Sequence, residues 1–197
     1  MRRESHAERG PQPVEVLIGT ADIQRRIGEL GKQIARDHPE GVPLLVGVLN
    51  GCIFFVADLM RAIPIPHEID FVSVTSYGRS SESSRSPRLV KDLERPIEGR
   101  DVILIEDIVD SGHTLAFLRD ALLARKPRSL RIATLLDKSE RREREVPLDY
   151  VGFEVPDRFL VGYGLDFAER FRHLPYIAAI SKAELEAEHA AHSSGAA

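Results

Sequence analysis

Apolar positions along the chain alternate between two spacings, and the alternation divides it into elements. Val14–Ile18 reads as a strand, and Ala21–Asp37 places Ile23, Ile27, Leu30 and Ile34 at helical spacing. Leu44–Leu49 is a continuous apolar run that predicts a strand buried on both faces. Ile53–Arg61 predicts a helix, stopped by Ile63-Pro64-Ile65-Pro66 because proline cannot continue the hydrogen-bond ladder. Glu68–Tyr77 alternates as a strand. Asp101–Ile105 is an aliphatic strand, Thr114–Arg125 a helix with Leu115, Leu118 and Leu122 on one side, and Leu130–Leu136 another strand. Tyr150–Ile180 holds short strand-like pieces broken by Gly and Pro, a lobe rather than a domain. Strands alternating with helices predict an α/β fold with a mainly parallel, Rossmann-like sheet covered on both faces, whose ligands gather at the carboxyl ends of the strands.

Between these elements lie three aperiodic stretches. Residues 1–13 and 183–197 read as loose tails flanking one domain over 14–182, with a hood lobe from about 150 to 180 joined by the N-terminal strand. Gly78–Arg88, GRSSESSRSPR, reads as a long polar loop, a lid or merely a tolerated insertion. The charged run Ser139–Glu145 reads as a solvated turn or helix end.

Composition narrows the class. With 197 residues, 43% of them hydrophobic, the chain can bury one core but hardly two. A net charge of −4, with basic residues interspersed among acids, gives no general case for a nucleic-acid footprint and leaves local basic patches open. The single cysteine, Cys52, lies in the apolar run GCIFFVADLM and reads as a small core residue. With no long apolar span and no secretory pattern, the expectation is a cytoplasmic protein without membrane contact.

The most informative stretch is VILIEDIVDSGHT, residues 102–114. An aliphatic strand runs into Glu106, Asp107 and Asp110, and an ionised carboxylate left dry costs several kcal/mol, so these acids must meet water, a partner or a ligand. At the carboxyl end of a parallel strand they would face the ligand crevice. The turn Ser111-Gly112-His113-Thr114 enters a helix whose first N–H groups can bind phosphate, although a plain helix cap has the same spacing. Acids beside a phosphate cradle suit a sugar phosphate, whose hydroxyls or bound magnesium the carboxylates can hold. Neither a P-loop nor a dinucleotide fingerprint is present.

This stretch resembles the ribose-phosphate signature of the type I phosphoribosyltransferases. With Ser76-Tyr77-Gly78, the LLDK of Leu135–Lys138 and the VGFEVPDRFLVGYGLD of Val151–Asp166, the chain is similar to their hypoxanthine-guanine branch, over nearly everything from Val14 to Ile180. The resemblance implies purine salvage: transfer of phosphoribosyl from phosphoribosyl pyrophosphate to an oxopurine base, with Mg2+ and release of pyrophosphate. It further implies that Glu106 and Asp107 hold the ribose hydroxyls, directly or through the metal, and that Asp110 accepts a proton at the purine imidazole. Asp110, Ser111, Gly112, His113 and Thr114 would wrap the 5′-phosphate, His113 through its backbone alone. Lys138 would donate to the six-oxo group, Phe159 would stack on the base and Leu160 would read its edge. Asn50, Gly51 and Arg172 would contact pyrophosphate, Asp166 would help hold a second magnesium, and Ser76 and Tyr77 would belong to a lid. A homodimer or homotetramer is implied as well.

The chain departs from the family in one respect. Many relatives carry a lysine between the positions of Leu49 and Gly51, where this chain has Asn50, so a side-chain charge is missing from the pyrophosphate loop. Two rival functions remain at this stage: a xanthine-preferring transferase, and a regulator of the same fold that binds nucleic acid. Retention of Asp110, Lys138, Phe159 and Asp166 together favours catalysis.

Overall fold

A computed structural model describes residues 15–76 and 87–181. The expected tails at 1–13 and 183–197, Tyr77 and nearly all of the polar loop lie outside the described residues. The chain runs β1 (Glu15–Ile18), α1 (Thr20–Asp37), β2 (Leu44–Leu49), α2 (Ile53–Ala62), β3 (Glu68–Ser76), β4 (Pro87–Lys91), β5 (Asp101–Val109), α3 (His113–Leu123), β6 (Ser129–Asp137), β7 (Tyr150–Glu154), β8 (Phe159–Val161) and β9 (Ile177–Ile180). Six strands form the main sheet in the order β4-β3-β2-β5-β6-β7. All neighbours are parallel except β3 and β4.

The continuous apolar runs are explained by cover on both faces. Leu45, Ile103 and Ile105 point into a core with Ile23, Ile27, Leu30 and Ile34 of α1 and Phe55, Val56 and Leu59 of α2. Their neighbours Leu44, Val46, Val102 and Leu104 point the other way, onto Leu115, Leu118 and Leu122 of α3. Successive strand residues therefore enter opposite cores, and neither face tolerates a polar row.

Two expectations are corrected. Tyr150–Glu154 does not belong to the hood: it pairs in parallel with β6 as the last strand of the main sheet. Arg26 of α1 donates to the carbonyls of Gly152 at 3.0 Å and Val151 at 2.7 Å, satisfying acceptors on that strand's open edge. The hood is the separate sheet β1-β9-β8, antiparallel throughout, with Val161, Phe167, Ala178 and Ile180 as its small core. The end of the polar stretch, Pro87 and Arg88, opens β4, an edge strand where a proline in first position is tolerated.

None of the described helices is long and apolar enough to cross a membrane. At their carboxyl ends β2, β5 and β6 meet the hood, and between them lies a cavity of about 960 Å³.

Candidate active site

Strand β5 does not stop where its aliphatic run stops. It continues through Glu106 and Asp107 to Val109, pairing Glu106 with Thr134 and Ile108 with Leu136 of β6. The two acids are therefore strand residues, which corrects the expectation that both project into an open crevice. Asp107 lines the large cavity, whereas Glu106 is buried and reaches only an adjoining recess of about 180 Å³.

Their electrostatics follow from that placement. Burial holds the Glu106 carboxyl well above the usual carboxylate range, and the charge of Asp107 beside it pushes in the same direction. Asp107 is also raised by burial, against the opposing pull of the Ile108 N–H, which donates to its Oδ1 at 2.9 Å, and of the Arg172 charge. Neither acid has a salt bridge among the described residues of the kind that holds acids elsewhere in the fold. A cation or a pair of hydroxyls placed at this pair would relieve the repulsion. Among the described residues no three His, Cys, Asp or Glu side chains gather as a metal cage. The pair nevertheless suits magnesium, which binds through one or two carboxylates and fills its octahedron with water and phosphate oxygens.

The recess is closed by the turn into α3. Asp110, Ser111, Gly112 and Thr114 line it together with the two acids. Gly112 caps the helix at φ 87°, and a Cβ there would collide with the carbonyl of Arg144, so only glycine allows this close approach. His113 turns its ring outward, with Nε2 3.0 Å from Glu143.

Asp110 stands where recess and cavity meet. Its Oδ2 lies 3.3 Å from Arg141 Nη1 and 3.8 Å from Lys138 Nζ, while its Oδ1 is buried with no hydrogen-bond partner. Such an oxygen is costly unless something fills the cavity and donates to it. Lys138 is itself buried and lines the same cavity. Opposite, Phe159 remains 40% exposed, edge-on to Phe167 at 5.3 Å, while its neighbour Leu160 is buried at the cavity wall. Part of the Phe159 ring therefore stays accessible at the cavity wall.

At the far wall, Asn50 and Gly51 follow β2, and the Leu49–Asn50 peptide is cis. A Cβ on Gly51 would overlap the Asp107 carboxylate, so backbone and acid touch directly. Asp166 and Arg172 also line the cavity but are bound to each other, Arg172 Nη2 to Asp166 Oδ1 at 2.9 Å. Arg172 also donates to the Gly164 carbonyl at 2.8 Å. Ser76, expected in a lid, closes β3, whose Val74 lines the cavity, and Tyr77, expected there too, falls outside the described residues.

A family model for the phosphoribosyl transferase domain matches residues 19–168. The chain belongs to the phosphoribosyl transferase family. It is 49% identical over 166 residues to the hypoxanthine phosphoribosyltransferase of Salmonella typhimurium, covering 83% of this chain and 93% of that protein. To the hypoxanthine-guanine phosphoribosyltransferase of Bacillus subtilis it is 47% identical over 172 residues, covering 87% and 96%. Among solved structures, a hypoxanthine-guanine phosphoribosyltransferase from Bacillus anthracis superposes with a TM-score of 0.82 at 44% identity, covering 86% of this chain and all of the other.

Three charged residues that the sequence pattern did not single out also line the cavity of this phosphoribosyl transferase family member: Arg141, Asp157 and Arg158. The run Ser139–Glu145 is accordingly no mere solvated turn. Arg142 is buried and paired with Asp137, and the backbone N–H groups of Glu143 and Arg144 both donate to the Ser111 carbonyl at 3.0 Å. The charged run thus braces the turn that forms the recess.

Proposed function

We propose that this chain is a purine-salvage transferase that joins hypoxanthine or guanine to the phosphoribosyl group of phosphoribosyl pyrophosphate and releases pyrophosphate. One observation carries the reading: the acids of β5 and the N-terminus of α3 line a single recess that opens onto a cavity holding Asp110, Lys138 and Phe159. The names of the relatives agree with it.

In this reading the recess holds the ribose 5-phosphate, its phosphate against the N–H groups of Ser111 to Thr114 and its hydroxyls toward Glu106 and Asp107. Magnesium held by Glu106 and Asp107, with a second ion assisted by Asp166, would neutralise pyrophosphate charge. Arg172 and the backbone at Asn50 and Gly51 would face the pyrophosphate, the backbone standing in for the side-chain charge missing at Asn50. A ring nitrogen of the base forms a bond to the anomeric carbon as the carbon–oxygen bond to pyrophosphate breaks, and the proton on the other imidazole nitrogen passes to Asp110 Oδ1. Lys138 donates to the six-oxo group, so adenine, with no acceptor there, is refused. Phe159 stacks on the base, a contact worth about 1–3 kcal/mol on comparable aromatics. Ser76 and Tyr77 belong to a lid that keeps water from the activated sugar.

Steady-state assays with hypoxanthine, guanine, xanthine and adenine, with and without magnesium, test this. Turnover of hypoxanthine or guanine that stops on chelation, with adenine inert, is expected. Dominant xanthine turnover would move the preference, and no turnover of any oxopurine would refute the reading. A homodimer or homotetramer in the cytoplasm completes the proposal, and light scattering on the purified protein checks the assembly.

A further inference from the structure

Arg141 is a charged cavity residue to which the reading above gives no role. It closes the 3-10 turn Ser139–Arg141, and its place is fixed from below: its own N–H donates to the Lys138 carbonyl at 3.1 Å, and the next residue, Arg142, is buried against Asp137. From that base its guanidinium stretches between two carboxylates from different parts of the fold. Nη1 donates to Asp110 Oδ2 at 3.3 Å, and Nε lies 3.6 Å from Asp157 Oδ1. Asp110 follows β5, whereas Asp157 stands two residues before Phe159, on the stretch leading into β8. The arm therefore spans the gap between the carboxylate that faces the base and the aromatic on which the base would lie.

The two oxygens of Asp110 are treated differently. Both cations, Arg141 and Lys138, stand on the Oδ2 side, and Oδ1 is buried with nothing donating to it. A carboxylate is symmetric and its terminal torsion is soft, so without a partner on one side it would offer either oxygen at a range of angles. Lys138 cannot fix it alone, because 3.8 Å is beyond hydrogen-bond reach. A guanidinium can: Nη1 is within hydrogen-bond reach of Oδ2, and its rigidly splayed, planar donors leave Nε at ion-pair distance from Asp157.

We propose that Arg141 is a positioning residue for phosphoribosyl transfer: it holds Asp110 by Oδ2 so that Oδ1 is presented to the base, and through Asp157 it ties that carboxylate to the segment carrying Phe159. The proposal rests on the reading of Asp110 as the proton-accepting group. A half-exposed ion pair of this kind contributes little to stability, so its effect belongs in turnover and not in the melting temperature.

The test measures kcat and both KM values for Arg141→Gln, Arg141→Lys, Asp110→Asn and the Arg141→Gln/Asp110→Asn double variant, with melting temperatures alongside. Arg141→Gln is expected to lower kcat about tenfold while the KM for phosphoribosyl pyrophosphate and the melting temperature stay close to wild type. Arg141→Lys, with the charge but without the two-armed reach, should recover part of the loss. Asp110→Asn should lower kcat about 100-fold, and the double variant should match it within about twofold, since there is no carboxylate left to orient. Independent, multiplying losses in the double variant would overturn the role of Arg141, as would a wild-type kcat in Arg141→Gln. If Arg141→Gln proved unstable, the same comparison with Arg141→Lys decides. A wild-type kcat in Asp110→Asn would instead overturn the reading of Asp110, and the role of Arg141 with it.

Discussion

The two ends of strand β5 carry the same chemistry and treat it in opposite ways. At the amino end, Asp101 accepts from Arg128 Nε at 2.8 Å and from Ser129 Oγ at 2.7 Å, and these bonds, the Arg128 one foremost, hold its carboxyl far below the usual range. At the carboxyl end, Glu106 and Asp107 press on each other in a buried place and are both held above it. Asp110, just beyond, keeps one oxygen without a donor. Acids at the first end complete their bonds within the chain and support the fold. At the second end the two buried acids have each other and the Ile108 N–H but no salt bridge to a cation among the described residues, and in the proposed reading the fold bears that cost for the sake of a ligand.

The largest effect that sharpens the contrast comes from Asp110→Asn. Turnover should fall about 100-fold or more while the KM for phosphoribosyl pyrophosphate changes little. Equal loss in both would place Asp110 in sugar binding alone. Next comes Gly51→Ala, whose added methyl would meet the Asp107 carboxylate. It should raise the KM for phosphoribosyl pyrophosphate by about tenfold, and steady-state kinetics with pyrophosphate as product inhibitor would show whether the same wall is affected.

At the other end the prediction reverses. Asp101→Asn should leave kcat unchanged and destabilise by about 1.5 kcal/mol, lowering the melting temperature by about 3–6 °C in a chain of this size. Because the folded carboxyl is held low, its contribution is present above the unfolded value and lost as pH falls through the folded one. The gap between wild type and Asp101→Asn should therefore narrow below about pH 4. A gap that widened on acidification would break the contrast.

How much of this was legible in the sequence differs between the same two regions. The aliphatic run of Val102–Ile105, the small-residue turn and the leucines of α3 are local signals, and they placed a strand, a loop and a helix at the ligand edge. Asp110, Lys138 and Phe159 were found by resemblance, and the fold brings all three to one cavity. The continuation of β5 through Glu106 to Val109 had no such signal, because strand pairing with β6 overrides the polarity of two acids. The placement of Arg141 and Arg142 had no signal for a related reason. A run of charges reads as solvent-facing until the chain is seen to return over the Ser111 carbonyl, a contact made by backbone groups that no residue type announces. β7 was misplaced because Gly152 breaks its pattern, although it lies against β6 as the sheet's last strand.

The smallest effect is the most direct test, because it measures the cost itself. Glu106→Gln keeps a donor toward Asp107 while removing the buried acid. A carboxyl with a raised folded pKa supports the fold fully only below its unfolded value, about pH 4, and loses that support as pH rises through the folded one. Thermal melts of wild type and Glu106→Gln, in chelator and without substrate, should therefore show the variant more stable by about 2 °C near neutral pH, converging with wild type near pH 4, while its turnover falls. A variant less stable than wild type at neutral pH would contradict the claim that the buried acid pair at this end of β5 is a cost to the fold.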